Sequence, residues 1–462
     1  MMLLILMKTE IMKSKYFFKK SLLISSLVAI SCTGLFAFTS NKADSKLLLN
    51  PISNLEDEDK FFLGRSFFTI PWVKAPSITA ARDGLGPLFN ANSCISCHPN
   101  NVKGKLFSKE NSTNRSLLAR ISVPKNQSKK HQDIFYKKGF IPEKTYGEQL
   151  AINGIFGVPF EGNIKLEFEE KIVKFSDGEK VILQKPKYSL ENLNYGEMEE
   201  DVIISYRLAQ SLNGIGLISL ILDEEILKNV DEDDKNQDGI SGKANFVYSA
   251  LSQKYELGRY THKASVANLK EQVAFAASND IGLTTTIEPE KKCTKYQKEC
   301  LDAPKAKDSI DLPDFRLDAI TYYLENLKTY SANKDTKEYK EGFPIFEDLS
   351  CNKCHISSFK TKLGFEISPY SDFLLHDMGE DLADNRVEFS AQGNEWRTAP
   401  LWGNKINKLT NKDEARFLHD GRAKTLEEAI LWHGGEAQKS KEAFLNLEKS
   451  KRDKLIKFLE EL

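Results

Sequence analysis

Two pentapeptides carry the clearest chemistry in this chain: Cys94-Ile95-Ser96-Cys97-His98 and Cys351-Asn352-Lys353-Cys354-His355. Two thiols separated by two residues match the pitch of the two vinyl groups of a haem, and a histidine directly after them reaches the iron from the same side. With only seven Cys and seven His in 462 residues, two complete copies are no coincidence. The competing chemistry is zinc, because Cys-x-x-Cys pairs recur in zinc ribbons. A ribbon, however, brings two pairs to one ion, whereas these pairs lie far apart and each carries its own histidine. The spacing therefore predicts two haem c groups, one bound through Cys94 and Cys97 with His98 as axial ligand, the other through Cys351 and Cys354 with His355.

The sixth iron position decides what such a haem does. A strong ligand there makes an electron-transfer centre, and an open or displaceable one makes a centre that binds peroxide, oxygen or substrate. Beyond the N-terminal segment the methionines are Met198 and Met378, and the histidines outside the two motifs are His131, His262, His376, His419 and His433. His433, Met378 and His376 follow the second motif, and Met198 or His262 could close the first haem. Residue types alone leave that choice open.

Three further groups could do chemistry. Asp234, Asn236 and Asp238, with Gly239 following, have the alternating oxygens and central glycine of a calcium loop, although Asn245 stands where the usual glutamate would; the alternative is a solvated acidic turn. Cys293 and Cys300 stand close together in a polar stretch, the spacing of a disulfide staple in an exported protein rather than of a redox-active Cys-x-x-Cys. Tyr146, Glu148, Gln149 and Arg207 are acid, base or orienting candidates near the first haem, each equally compatible with packing.

The elements that position these groups follow from pattern and length. Lys13, Lys15, Lys19 and Lys20 precede an apolar run from Ser21 to Ser31, the order of a secretory signal, and the run is short for a membrane span. It ends in Ala29-Ile30-Ser31-Cys32, which resembles a lipoprotein box with Cys32 lipidated; a plain signal cut further on is the alternative. Residues 1–32 are thus expected to be a signal and 33–57 a tether, placing the protein in the periplasm with the membrane reached only through a lipid anchor. Lys plus Arg number 65 against 66 Asp plus Glu, which gives no basic excess for nucleic acid.

At this length two domains are expected. The predicted fold is mainly α, with two cytochrome-c-like haem domains at 58–331 and 338–462, the first carrying a large insertion with a small antiparallel β-sheet. Alternation at Ile164–Phe168, Ile172–Phe175 and Val181–Leu183 around Asp177-Gly178 predicts that sheet as a hairpin. Helix is expected to return over Val202–Leu222, to start after Leu312-Pro313, to lead into Cys351 and to close the chain from about Lys451. Thr425 and Glu428 have the spacing of a capping box.

From Phe61 to the C-terminus the chain resembles the bacterial di-haem oxidoreductase family, also catalogued as thiol oxidoreductases. The residues that carry the resemblance are Asp83-Gly84-Leu85-Gly86-Pro87, Tyr146-Gly147-Glu148-Gln149-Leu150, Leu375-His376-Asp377-Met378-Gly379, Glu395-Trp396-Arg397-Thr398-Ala399-Pro400 and Phe417-Leu418-His419-Asp420-Gly421-Arg422 through His433. The last stretch is also similar to the second domain of the di-haem cytochrome c peroxidases. It is similar too to the enzyme that matures a tryptophan-derived quinone. That resemblance implies that His433 takes the place of the methionine closing the peroxidases' second haem, with Met378 the runner-up. It also implies that the second haem relays electrons and the first reacts. Relatives carry an acid where this chain has Ser219, and an aromatic residue where it has His262.

Two functions follow. One is an exported, peroxidase-like di-haem oxidoreductase acting on a small oxidant such as peroxide, with an electron donor that the sequence does not name. The other is an envelope electron-transfer cytochrome with both haems six-coordinate; a haem-based sensor is a third.

Overall fold

The computed structural model describes residues 55–106 and 115–462. The export segment, Cys32 and most of the tether lie outside them. The first described element is helix α1 (Leu55–Thr69), which begins inside the segment read as tether and carries Phe61, Gly64, Phe67 and Phe68 on one buried face. Strand β1 (Leu117–Ser122) follows, then the long strands β2 (Asn163–Lys174) and β3 (Lys180–Glu191), strand β4 (Ile203–Leu208), and helices α2 (Leu269–Asp280), α3 (Asp314–Glu325), α4 (Lys337–Asp348), α5 (Leu426–Trp432) and α6 (Lys449–Glu461). Among the described residues, no helix is long and apolar enough to cross a membrane.

The expectation of a mainly α fold is wrong. Of the described residues 32% are helical and 20% strand, too much strand to be one small insertion on a helical body. Seven two-stranded sheets are spread along the described chain. One misreading accounts for part of the error. Val202–Leu222 is not one helix, because Ile203–Leu208 is a strand paired antiparallel with β1, and only Ile215–Ile218 turns helical. A short apolar run reads equally as strand or helix, and here the β-branched pair Ile203-Ile204 favours strand. Asp83–Leu85 and Leu88–Phe89 are further short strands.

The hairpin is longer than its alternation suggested, with β2 and β3 in register from Asn163↔Glu191 to Lys174↔Lys180. Its turn is the predicted one: Gly178 sits at φ +92° and donates to Phe175 O. It packs on both halves: Ile164, Leu166, Tyr188 and Leu190 lie against Leu117, Ala119, Leu150 and Leu208 of the first half, while Phe175 and Leu183 are buried in a core with Tyr339, Phe346, Trp432 and Phe458. The tip is clasped by Arg452 of α6, 1% exposed, whose guanidinium meets Asp177 at 2.9 Å and Glu179 at 2.6 Å.

A second core joins α1, α2 and α3 and takes in Phe373, Leu374 and Trp402 from the C-terminal half. Leu49–Leu462 accordingly forms one compact unit. Close helix contacts set it: a Cβ on Gly64 would stand 1.9 Å from Ala319 O of α3, and one on Gly342 of α4 2.3 Å from the Phe458 Cβ of α6. Cys293 and Cys300 are joined as a disulfide with Cα atoms 5.7 Å apart. Closing so short a loop stabilises by about 2 kcal/mol through the unfolded chain. Replacing both by serine should cost that much in chemical denaturation and leave haem content unchanged.

Candidate functional site

Both pentapeptides fold identically. Cys94–Ser96 and Cys351–Lys353 are single 3₁₀ turns, and the histidine amide of each donates back to its first cysteine, His98 to Cys94 O at 3.1 Å and His355 to Cys351 O at 2.9 Å. That turn presents two thiols and one imidazole together. The four cysteines are free and unbonded to one another. Burial pushes the Cys94 and Cys351 thiols up to about 12, with Asp280 adding to the effect at Cys94, so they stay neutral.

The two imidazoles are held alike. His98 Nδ1 lies 2.8 Å from Gln210 O and His355 Nδ1 2.8 Å from Tyr370 O. A carbonyl can only accept, so Nδ1 carries the proton and Nε2 keeps the lone pair that a metal needs. Burial drops both imidazoles to about 4, which leaves the rings neutral at neutral pH.

One cavity of about 830 Å³ reaches both motifs, its lining including Cys94, Cys97 and His98 of the first and Cys351, Cys354 and His355 of the second. Well-packed interiors hold few voids larger than a water, so a space of this size is built for an occupant. Free thiol pairs, a lone-pair imidazole beside each, and a cavity with Phe68, Phe275, Phe346 and Trp402 among its walls together fit haem.

The sixth-position candidates separate. His433, at the C-terminal end of α5, has Nδ1 2.7 Å from Ala429 O, which again frees Nε2, and it lines the cavity. Its helix starts as expected, with Thr425 Oγ1 accepting from Glu428 N, although Glu428 returns its bond to Lys424 N. Met378 lines the cavity too, half-buried against the core of Phe175, Phe346 and Trp432. His376 is committed: its Nε2 meets Asp372 at 2.8 Å and its Nδ1 meets Glu436 at 2.6 Å. Burial alone would favour the neutral ring, but the bonds to Asp372, Cys354 and Glu436 outweigh it and hold its pKa well above the ordinary value. Met198 packs in a separate cluster with Tyr146 and Leu150. His131 lies on the helix Lys129–Lys138, its amide donating to Ser128. His262 lines the cavity with Nε2 buried and without a protein partner.

Of the other candidates, Tyr146 donates to Gly196 O and acts in packing. Glu148 lines the cavity but is tied to Lys138 at 2.8 Å and Lys292 at 2.9 Å. Arg207 lines it as well, paired with Asp384 at 3.1 Å and Glu388 at 2.8 Å. Gln149 donates to Asn90 Oδ1 and to Asp280 Oδ1 at 2.7 Å. Asp280 went unnoticed in the sequence: it sits at the end of α2 on the cavity wall, and burial raises its pKa. Ser219 merely bonds Gly216 O.

In the acidic loop, Asp234 accepts from Gly239 N, Asn236 from Asp238 N and Asp238 from Ile240 N. Lys353 approaches Asp238 at 3.5 Å, and Lys439 donates to its carbonyl. Asn245 is buried elsewhere, donating to Lys263 O and Glu388 O.

Against this geometry, the family model described as "di-haem oxidoreductase, putative peroxidase" matches residues 30–462. The chain belongs to the di-haem oxidoreductase family. Its members' name makes haem the cofactor and oxidoreduction the activity of the class. No curated protein matches the chain. Among solved structures, the hydrazine synthase of Kuenenia stuttgartiensis, pressurized with xenon, matches at 21% identity with a TM-score of 0.23. The match covers 32% of this chain and 55% of that one, so it spans about half the length of that protein.

Proposed function

We propose that this di-haem oxidoreductase is an exported, peroxidase-like enzyme of the periplasm, held there by its signal and a lipid on Cys32. It carries haem c at Cys94, Cys97 and His98 and at Cys351, Cys354 and His355. The second haem is closed by His433 and relays electrons from a redox partner to a reactive first haem. The observation that carries this reading is the one cavity lined by both motifs, to which His433 has an Nε2 to offer, whereas Met198 lies in another core.

When bound, haem supplies a redox-active iron whose reactivity follows its axial ligands. The protein's own part is positional. Gln210 and Tyr370 hold the two proximal rings. Asp280, on the wall beside the first motif and favouring its protonated form through burial, can hold a proton there, with Oδ1 fixed by Gln149. The apolar walls exclude water. His262 is linked to the first proximal ring through hydrogen bonds: its carbonyl accepts from Arg397 N, Arg397 Nη2 donates to Gln210 Oε1, and Gln210 O holds His98 Nδ1. Calcium is not part of the proposal, because the side chains of Asp234, Asn236 and Asp238 are turned onto their own loop.

Replacing His433 by alanine should convert the second haem from low spin to high spin, read by electron paramagnetic resonance, and by methionine should raise its potential. An unchanged low-spin signal in the alanine variant would move the ligand to Met378. If His262 instead closed the first iron, the chain would be an electron-transfer cytochrome, and His262→Phe would create a new high-spin signal.

A further inference from the structure

We infer that Lys103, Arg397 and His262, which line the cavity shared by the two motifs, form a carboxylate-binding site, filled in the loaded protein by a carboxylate side chain of haem. The inference rests on haem being carried at both motifs, and it does not depend on which iron reacts.

The first observation is charge without a counter-charge. Arg397 is 7% exposed, and its guanidinium donates to neutral acceptors: Nε to Thr261 O at 2.8 Å, Nη1 to Thr398 O at 3.2 Å and Nη2 to Gln210 Oε1 at 3.3 Å. Burial lowers its pKa to about 10, opposed only in part by the charges of Asp372 and Tyr260. Lys103 Nζ donates to Leu418 O. Burial lowers it to about 8, and the carboxylate that opposes this, Asp420, is already bonded by Arg422 Nε and Nη2. A buried cation left without an anion is strongly unfavourable. Three other cations on the same cavity do have an anion: Arg207 has Asp384 and Glu388, Arg259 has Asp223, and Lys138 has Glu148.

The second observation is the unpartnered donor beside them. His262 lines the same cavity, its Nε2 is buried with no protein partner, and its carbonyl accepts from Arg397 N at 2.9 Å. Buried side-chain nitrogens are nearly always bonded, so this one implies a missing partner. Burial, followed by the charges of Arg207, Lys103, His419 and Arg397, holds the ring neutral, so it can act as a hydrogen-bond donor without adding charge. Two cations and a neutral donor converging on one enclosed corner are the parts of a carboxylate site.

The source of the carboxylate follows from the anchoring. A haem fixed by its vinyl edge to Cys94 and Cys97, or to Cys351 and Cys354, directs its opposite, carboxylate-bearing edge away from those thiols and into the cavity that Lys103, Arg397 and His262 also line. Two haems bring four carboxylates into this interior, and the cations that would receive one already stand unpaired.

The test uses the full, haem-loaded chain, with covalent haem counted as the pyridine haemochrome and both midpoint potentials read by spectroelectrochemical titration. Arg397→Gln is expected to keep two haems and shift one midpoint potential downward, because a nearby positive charge favours the reduced state. Lys103→Met should shift the same haem, and Arg397→Lys, which keeps the charge, should shift it less. If Arg397→Gln fails to fold, Lys103→Met carries the test alone. Two unchanged potentials with both haems in place would overturn the inference. So would a saturable response of the wild-type potentials to added acetate, which would assign the site to soluble carboxylates. Failure of the peroxidase-like reading would show separately, as two low-spin haems, and would leave the potential shift intact.

Discussion

Replacing Cys351 and Cys354 together with alanine is expected to halve the covalent haem content, from two per chain to one, while the haem at the first motif stays. The two motifs are separate local turns lining one cavity, so loss of one pair of thiols leaves the other pair and His98 where they are. The reciprocal variant, Cys94→Ala with Cys97→Ala, should also retain one haem, and that one should keep the low-spin signal assigned to His355 and His433. Pyridine haemochrome titration against protein concentration reads the count, and haem-stained denaturing gels read the attachment. Should the double variant still hold two covalent haems, attachment through these cysteines would be wrong.

The second large effect is on stability. Glu388, 3% exposed, accepts from Arg386 Nε at 3.0 Å and meets Arg207 Nη1 at 2.8 Å, and Arg386 is fully buried. Beside it Asp384 receives Arg207 at 3.1 Å and Lys263 at 3.0 Å. Removing one partner of such a network leaves a buried charge uncompensated, so Glu388→Gln should destabilise by about 3–5 kcal/mol in chemical denaturation. The pH dependence has a definite sign. Burial would raise the Glu388 pKa, but Arg207 and Arg386 overcome it and hold the group far below the ordinary 4.5. Its contribution is therefore complete above that value and falls away as the pH drops below it. The wild type should lose stability on acidification through that range, and Glu388→Gln should lose less. Equal acid sensitivity of the two proteins would mean that the network contributes little.

How much of this could be seen in the residues depends on how local each feature is. The two Cys-x-x-Cys-His turns were legible, because five contiguous residues define each one whatever the surrounding fold. The Asp177-Gly178 turn was legible for the same reason, since a tight turn needs its φ > 0 residue in place. His433 emerged only through family resemblance; its spacing from His355 says nothing without the fold that brings α5 to the second motif. The helix expected over Val202–Leu222 failed because strand β4 is defined by its pairing with β1, a contact across the chain that local pattern does not encode. Asp280, Lys103 and the unpaired state of Arg397 were likewise hidden: each owes its character to burial and to neighbours distant in sequence. Arg397 lay inside a recognised motif, yet nothing in the motif indicates that its guanidinium meets only neutral acceptors.

The central claim is that the first haem is open and reactive while the second is closed by two histidines. Low-temperature electron paramagnetic resonance of the oxidised, haem-loaded protein, with and without one equivalent of hydrogen peroxide, tests it most directly. The account predicts a high-spin signal beside a low-spin bis-histidine signal, with the high-spin one lost on adding peroxide. Two low-spin signals indifferent to peroxide, before and after partial reduction, would contradict it and leave an electron-transfer cytochrome.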